Sequence, residues 1–145
     1  MRRMAGYLAL GLLAALVAFA LYLRLAPSDP GRWHVAAVAE GPPGEVTVAG
    51  LNRATLRLGP DAGPPAELLA RLDAVALATP RTVRLAGSVE EGRITWVTRS
   101  ALWGFPDYTT AEKRPDGLAI VAQSRFGSRD WGVNAARLQD WLSKL

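Results

Sequence analysis

The chain has 145 residues with 17 basic and 13 acidic side chains, a formal net charge of +4, one histidine and no cysteine. Those counts exclude a disulfide framework, a thiol nucleophile, a cysteine-ligated zinc and a multi-histidine metal centre. The excess of bases is no sign of nucleic-acid binding. Arg2, Arg3 and Arg24 lie in or beside an apolar N-terminal stretch, which leaves 14 bases against 13 acids in residues 27–145, with no clustered basic run.

Ala5 to Leu23 (AGYLALGLLAALVAFALYL) carries no charge. At about 1.5 Å rise per residue it nearly matches the ~30 Å hydrocarbon thickness of a bilayer, which predicts one spanning helix within residues 1–25. Tyr7 and Tyr22 fall near its ends, where amphipathic rings favour the interface. Ala18-Phe19-Ala20 has the form of a signal-peptide cleavage site, but it lies inside the apolar run rather than after it, so a retained anchor is expected. Arg2 and Arg3 before the span favour a cytoplasmic start. The expected placement is a single pass through the inner (plasma) membrane, with the C-terminal domain on the exported, periplasmic side.

Residues 26–32 (APSDPGR) hold two prolines and a glycine and read as a short stiff linker. Residues 33–145 are then enough for one core. In 33–65 only Glu45–Ala49 and Ala54–Leu58 are strand-like, and the remainder reads as extended or irregular. Pro64-Pro65 can open a helix. Ala66–Ala78 places Leu68, Leu69, Leu72, Val75 and Ala76 on one helical face, and Thr79-Pro80 ends it.

Four strands follow. In Thr82–Val89 the residues Val83, Leu85 and Val89 share one face with Gly87, and in Ile94–Arg99 alternate residues divide between two faces. Tyr108–Lys113 pairs with Leu118–Arg125 across Arg114-Pro115-Asp116-Gly117, where proline presets φ and glycine permits the turn. A last helix over about Trp131–Lys144 turns Leu138, Trp141, Leu142 and Leu145 to the sheet. The expected fold is α+β: a four-stranded antiparallel meander packed by two helices, behind one transmembrane helix.

The densest polar stretch is Ser124–Asn134 (SRFGSRDWGVN). Asp130 can cap the last helix, since its carboxylate can accept from free first-turn amides and its charge suits the helix dipole. Asp130, Asn134 and Arg137 share one stripe with Trp141, so if partly buried they must satisfy one another or a ligand. Arg125 could reach back to Asp130.

Gly104-Phe105-Pro106-Asp107, Ser124-Arg125-Phe126-Gly127 and Asp130-x-Gly132-Val133-Asn134-x-x-Arg137 together resemble the domain-of-unknown-function family numbered 1499, from about Leu72 to the C-terminus. The resemblance implies a small bacterial or plastid protein, often with an N-terminal membrane segment, and implies no established activity. At the position of Trp131 many relatives are expected to carry Phe or a smaller apolar residue.

No P-loop, dinucleotide fingerprint, calcium loop or serine-hydrolase elbow is present, so no cofactor is expected. His34 is the only histidine base on offer. Trp103 and Phe105 lie in Trp-Gly-Phe-Pro, a loop-forming composition, where they either fill the core end or contact a lipid or partner. The reading that follows is a membrane-anchored, non-catalytic binding domain for an envelope protein or a lipid-like, apolar or anionic ligand, with Trp103, Phe105, Asp107, Arg125, Asp130, Asn134 and Arg137 as contacts. The alternatives are a hydrolase or isomerase with Asp107 or Asp130 as acid/base and Arg99, Arg125 or Arg137 stabilising an anion, and a purely structural subunit.

Overall fold

A computed structural model describes residues 2–145. The first element, α1 (Arg2–Leu25), is a single helix long and apolar enough to cross a membrane. Residues 3–19 are exposed throughout, and the helix meets the rest of the protein only near its end, where Leu23 is fully buried.

The sheet has six strands rather than four: β1 (Val46–Val48), β2 (Arg53–Leu58), β3 (Thr82–Ser88), β4 (Arg93–Arg99), β5 (Pro106–Arg114) and β6 (Gly117–Ser124). All pairings are antiparallel, in the order β1-β2-β6-β5-β4-β3. The expected meander is therefore present as β3 to β6. It is extended by the two strand-like fragments of the first third, because β2 pairs with β6 from Arg53↔Gln123 to Leu58↔Leu118. Gly117 permits this junction: a Cβ there would lie 1.8 Å from the Leu58 carbonyl oxygen.

Helices α3 (Pro65–Ala78) and α4 (Val133–Leu142) cover one face. Their Leu68, Leu69, Leu72, Ala76, Leu138 and Trp141 join Leu56, Ile94, Trp96, Ile120 and neighbours in one apolar core. Trp96 and Trp141 meet edge to face at 5.7 Å, and Trp141 Nε1 donates to Thr79 Oγ1 at the end of α3 (2.9 Å). Asp73 is buried on α3 without being part of the apolar stripe. It accepts from Trp96 Nε1 (2.8 Å) and pairs with Arg84, so its charge is matched.

The other face is covered by the segment that follows α1. It contains one helical turn, α2 (Pro30–Trp33), capped by the Asp29 side chain, and otherwise runs extended. Trp33 stacks on Tyr108 with centroids 4.0 Å apart; Ser28 Oγ bonds the Tyr108 hydroxyl and His34 Nδ1 bonds Thr95 Oγ1. The Ala37 amide donates to Glu112, which also pairs with Arg93 and Arg114. Burial opposes ionisation of Glu112, but these donors outweigh it and hold the carboxyl below its ordinary range.

One facial assignment fails. A bulge between Arg84 and Ala86 shifts the register of β3, so Leu85 packs with Trp33 and Tyr108 whereas Val89 packs on the helix-side core. Strict alternation cannot survive an inserted residue. Gly87, at φ +88°, follows the bulge where a Cβ would strike the Arg93 carbonyl and the His34 ring.

Candidate functional site

The antiparallel order sends four connections to the same end of the sheet: residues 49–52, 79–81, 100–105 and 125–132. The end of α1 meets this end too. Arg99 Nη1 donates to the carbonyls of Leu23 (2.9 Å) and Gly104 (3.0 Å), Nη2 reaches Ala26 O (3.4 Å), and Arg24 Nη2 donates to Leu102 O (2.7 Å). Arginine donors thus satisfy carbonyls that the helix end leaves without intrahelical partners.

Behind the loops lies a closed polar network. Asp107 opens β5 and accepts from Arg137 Nη2 (2.8 Å), while Arg137 Nη1 donates to Asn134 Oδ1 (2.6 Å). Asn134 Nδ2 donates to Asp130 Oδ2 (2.8 Å) and to Ser124 Oγ (3.0 Å). Asn134 is fully buried, and the Arg137 and Asp107 side chains are only 10% and 13% exposed. The helical stripe of Asp130, Asn134 and Arg137 is thus brought together with Asp107 from thirty residues upstream.

Asp130 is not the N-cap of α4: Gly132 holds that position without a side-chain cap, and Asp130 precedes it by two residues. Its carboxylate accepts from the amides of Gly132 (3.0 Å) and Asn134 (3.1 Å). To allow this, Trp131 takes φ +55° and Gly132 φ +81°, a left-handed pair in which only the glycine is unstrained. Trp131 is consequently turned outward and is 85% exposed. Arg129 lies over its ring at 6.0 Å.

Arg125 does not reach Asp130. Its Nη1 donates instead to the Pro27 carbonyl (2.9 Å), and its guanidinium lies 4.9 Å from the Phe126 ring centre. Asp130 is already occupied by backbone amides and Asn134, whereas Pro27 O is otherwise without a donor on this edge, so the guanidinium ties the loop to the segment leaving α1. Phe105 and Phe126 face each other at 6.3 Å. Trp103 is 38% and its neighbour Leu102 74% exposed.

The seven candidate residues therefore divide into two groups. Asp107, Asp130, Asn134 and Arg137 form a brace that is buried at Asn134 and partly buried elsewhere; Trp103, Phe105 and Arg125 belong to the loops it supports. Asp107 is ion-paired with Arg137, whereas Asp130 has no ion pair among the described residues and its carboxylate accepts from the Gly132 and Asn134 amides and from Asn134 Nδ2. Ser124 and Asn52, whose carbonyl accepts from Asn134 Nδ2 at 3.4 Å, complete the brace and escaped the sequence reading, as did Arg24 and Arg81 beside the loops. The one signal for Arg24 was its position directly after the apolar run. Among the described residues, no group of acidic or histidine side chains is placed to hold a metal ion.

No curated protein and no solved structure matches the chain significantly. A family model does, over residues 36–145, which takes the likeness upstream of Leu72 to include β1, β2 and the cover from Ala36 onward. The chain belongs to that family, DUF1499, proteins of unknown function.

Proposed function

We propose that the chain is a membrane-anchored, non-catalytic binding domain whose anchor-side loops work at the bilayer surface. One observation carries this reading. The sheet end joined to α1 is the end that displays Leu51, Leu102, Trp103 and Trp131 together with Arg81, Arg99, Arg125 and Arg129. Aromatic and arginine side chains suit the interfacial layer of a membrane, where one part of the side chain is dry and the other wet.

The domain is held to the helix by Arg24 and Arg99 and to the segment leaving it by Arg125, all donating to backbone carbonyls. This supports a fixed approach of the loops to the membrane rather than a free tether. The brace of Asp107, Arg137, Asn134 and Asp130 then serves to keep the loops in place. The Arg137–Asp107 pair, and the amide bonds that occupy Asp130, support binding over the hydrolase or isomerase alternative.

The test uses the full chain in nanodiscs containing brominated lipids. Trp33, Trp96 and Trp141 are buried, so quenching should come chiefly from Trp103 and Trp131 and should fall in Trp103→Phe and Trp131→Phe. Unquenched emission in all three proteins would refute the bilayer-surface reading. Because the chain has no cysteine, Ser128→Cys gives a single thiol whose labelling by an impermeant maleimide reports which side the domain occupies; the exported side is expected.

A further inference from the structure

Beside the loops, a cleft of about 390 Å³ opens between the end of α1, the start of β3 and the β4–β5 connection. Arg24, Arg81 and Arg99 line it together with Val83, Val97 and Ala101. No carboxylate lines it, and none of the three arginines joins an ion pair among the described residues. Arg81 uses Nε for the Arg99 carbonyl (3.0 Å), which leaves its two terminal nitrogens without a protein acceptor. Arg24 spends only Nη2, on Leu102 O.

Three like charges gathered around an apolar floor repel one another, and although backbone carbonyls accept from each of them, no carboxylate lines the cleft to neutralise them. A bound anion would do so. Guanidinium groups match phosphate oxygens with paired donors, and the apolar floor suits a ligand with hydrocarbon next to its charge. The position narrows the choice further: the cleft opens at the exit of α1, beside exposed Leu102 and Trp103.

We infer that this cleft binds the phosphate of an anionic membrane phospholipid, received by Arg24 and Arg81, with the start of its acyl chains against Val83 and Val97. Arg99 is the positioning residue, since its own donors already hold the end of α1 and the Gly104 carbonyl. The inference rests on the bilayer-surface reading and adds a ligand class to it.

The test is native mass spectrometry of the full chain in detergent, titrated with phosphatidylglycerol or phosphatidylcholine, for wild type and for Arg24→Gln/Arg81→Gln. One phosphatidylglycerol should be retained about tenfold more tightly than phosphatidylcholine, and the double variant should lose that preference, as expected for removing charge-assisted bonds. Equal retention of the two lipids, or an unchanged preference in the double variant, overturns the site. Inorganic phosphate at millimolar concentration is the second arm: displacement of the lipid by phosphate alone would reassign the cleft to a free anion. Should the double variant misfold, Arg81→Gln alone, at an exposed position, must still weaken the preference. Quenching of Trp103 without lipid preference would sink only this inference; absence of quenching would remove the reading beneath it.

Discussion

The two ends of the sheet are built from the same kind of connection and carry opposite chemistry. At the end away from α1, residues 59–64, 89–92 and 115–116 contain Asp61, Glu90, Glu91 and Asp116, with no base and no aromatic. At the end joined to α1, the connections contain Arg81, Arg125 and Arg129, four aromatics, and one acid, Asp130, which is occupied by the Gly132 and Asn134 amides. A near-neutral domain therefore hides a charge gradient along its strands. Net charge could not reveal it, because antiparallel topology sorts alternate connections to opposite ends.

The comparison predicts that the anchor-side end depends on its brace. Arg137→Ala leaves the largely covered Asp107 without its ion partner and should destabilise the full chain by about 3 kcal/mol in denaturant unfolding; a loss below about 1 kcal/mol would show that the loops do not rely on it. Trp33→Ala tests the cover common to both ends and should cost about 3 kcal/mol. Asp130→Ala removes the acceptor of the Gly132 and Asn134 amides and should cost about 1 kcal/mol and free the 125–132 loop. An unchanged melting temperature would contradict that role.

Glu112 gives a smaller, pH-dependent effect. Its carboxyl is held below the ordinary range in the folded protein, so its contribution is present above the unfolded carboxyl value of about 4.3 and is lost as pH falls through the lower folded value. Glu112→Gln should flatten the acid side of the stability profile; a profile of unchanged slope would mean that the cover is held by Trp33 and His34 alone. The least effect is expected at the far end, where Glu90→Lys with Glu91→Lys should leave the melting temperature, and tryptophan quenching by brominated lipid, as in wild type. Altered quenching would abolish the distinction between the ends.

What the sequence disclosed followed from local rules. The α3 stripe, the β3–β6 meander, the Pro115-Asp116 turn and the Asp130–Asn134–Arg137 stripe all depend on residues within about a dozen positions of each other. The joining of β2 to β6 links Arg53 with Gln123, and Arg125 finds Pro27 across 98 residues. No periodicity encodes such pairings. The prolines and glycines of 33–65 likewise obscured an ordered cover, since extended chain held by side chains has no repeat of its own. Arg81 and Arg24 looked unrelated in the sequence because only the fold brings the start of β3 beside the end of α1.

The extended cover also sets an order of events. Trp33, His34 and Ala37 are among the first residues made after α1, yet their partners Tyr108, Thr95 and Glu112 come 61 to 75 positions later. A growing chain must therefore carry this tryptophan unsheltered until most of the domain exists, and such distant closures slow folding. Any fragment that stops before Glu112 lacks the anchor for the Ala37 amide as well as the whole of β6. In a cell, then, the early segment of a stalled or truncated chain would be the exposed, protease-sensitive part, and completion of the C-terminal third would be what conceals it.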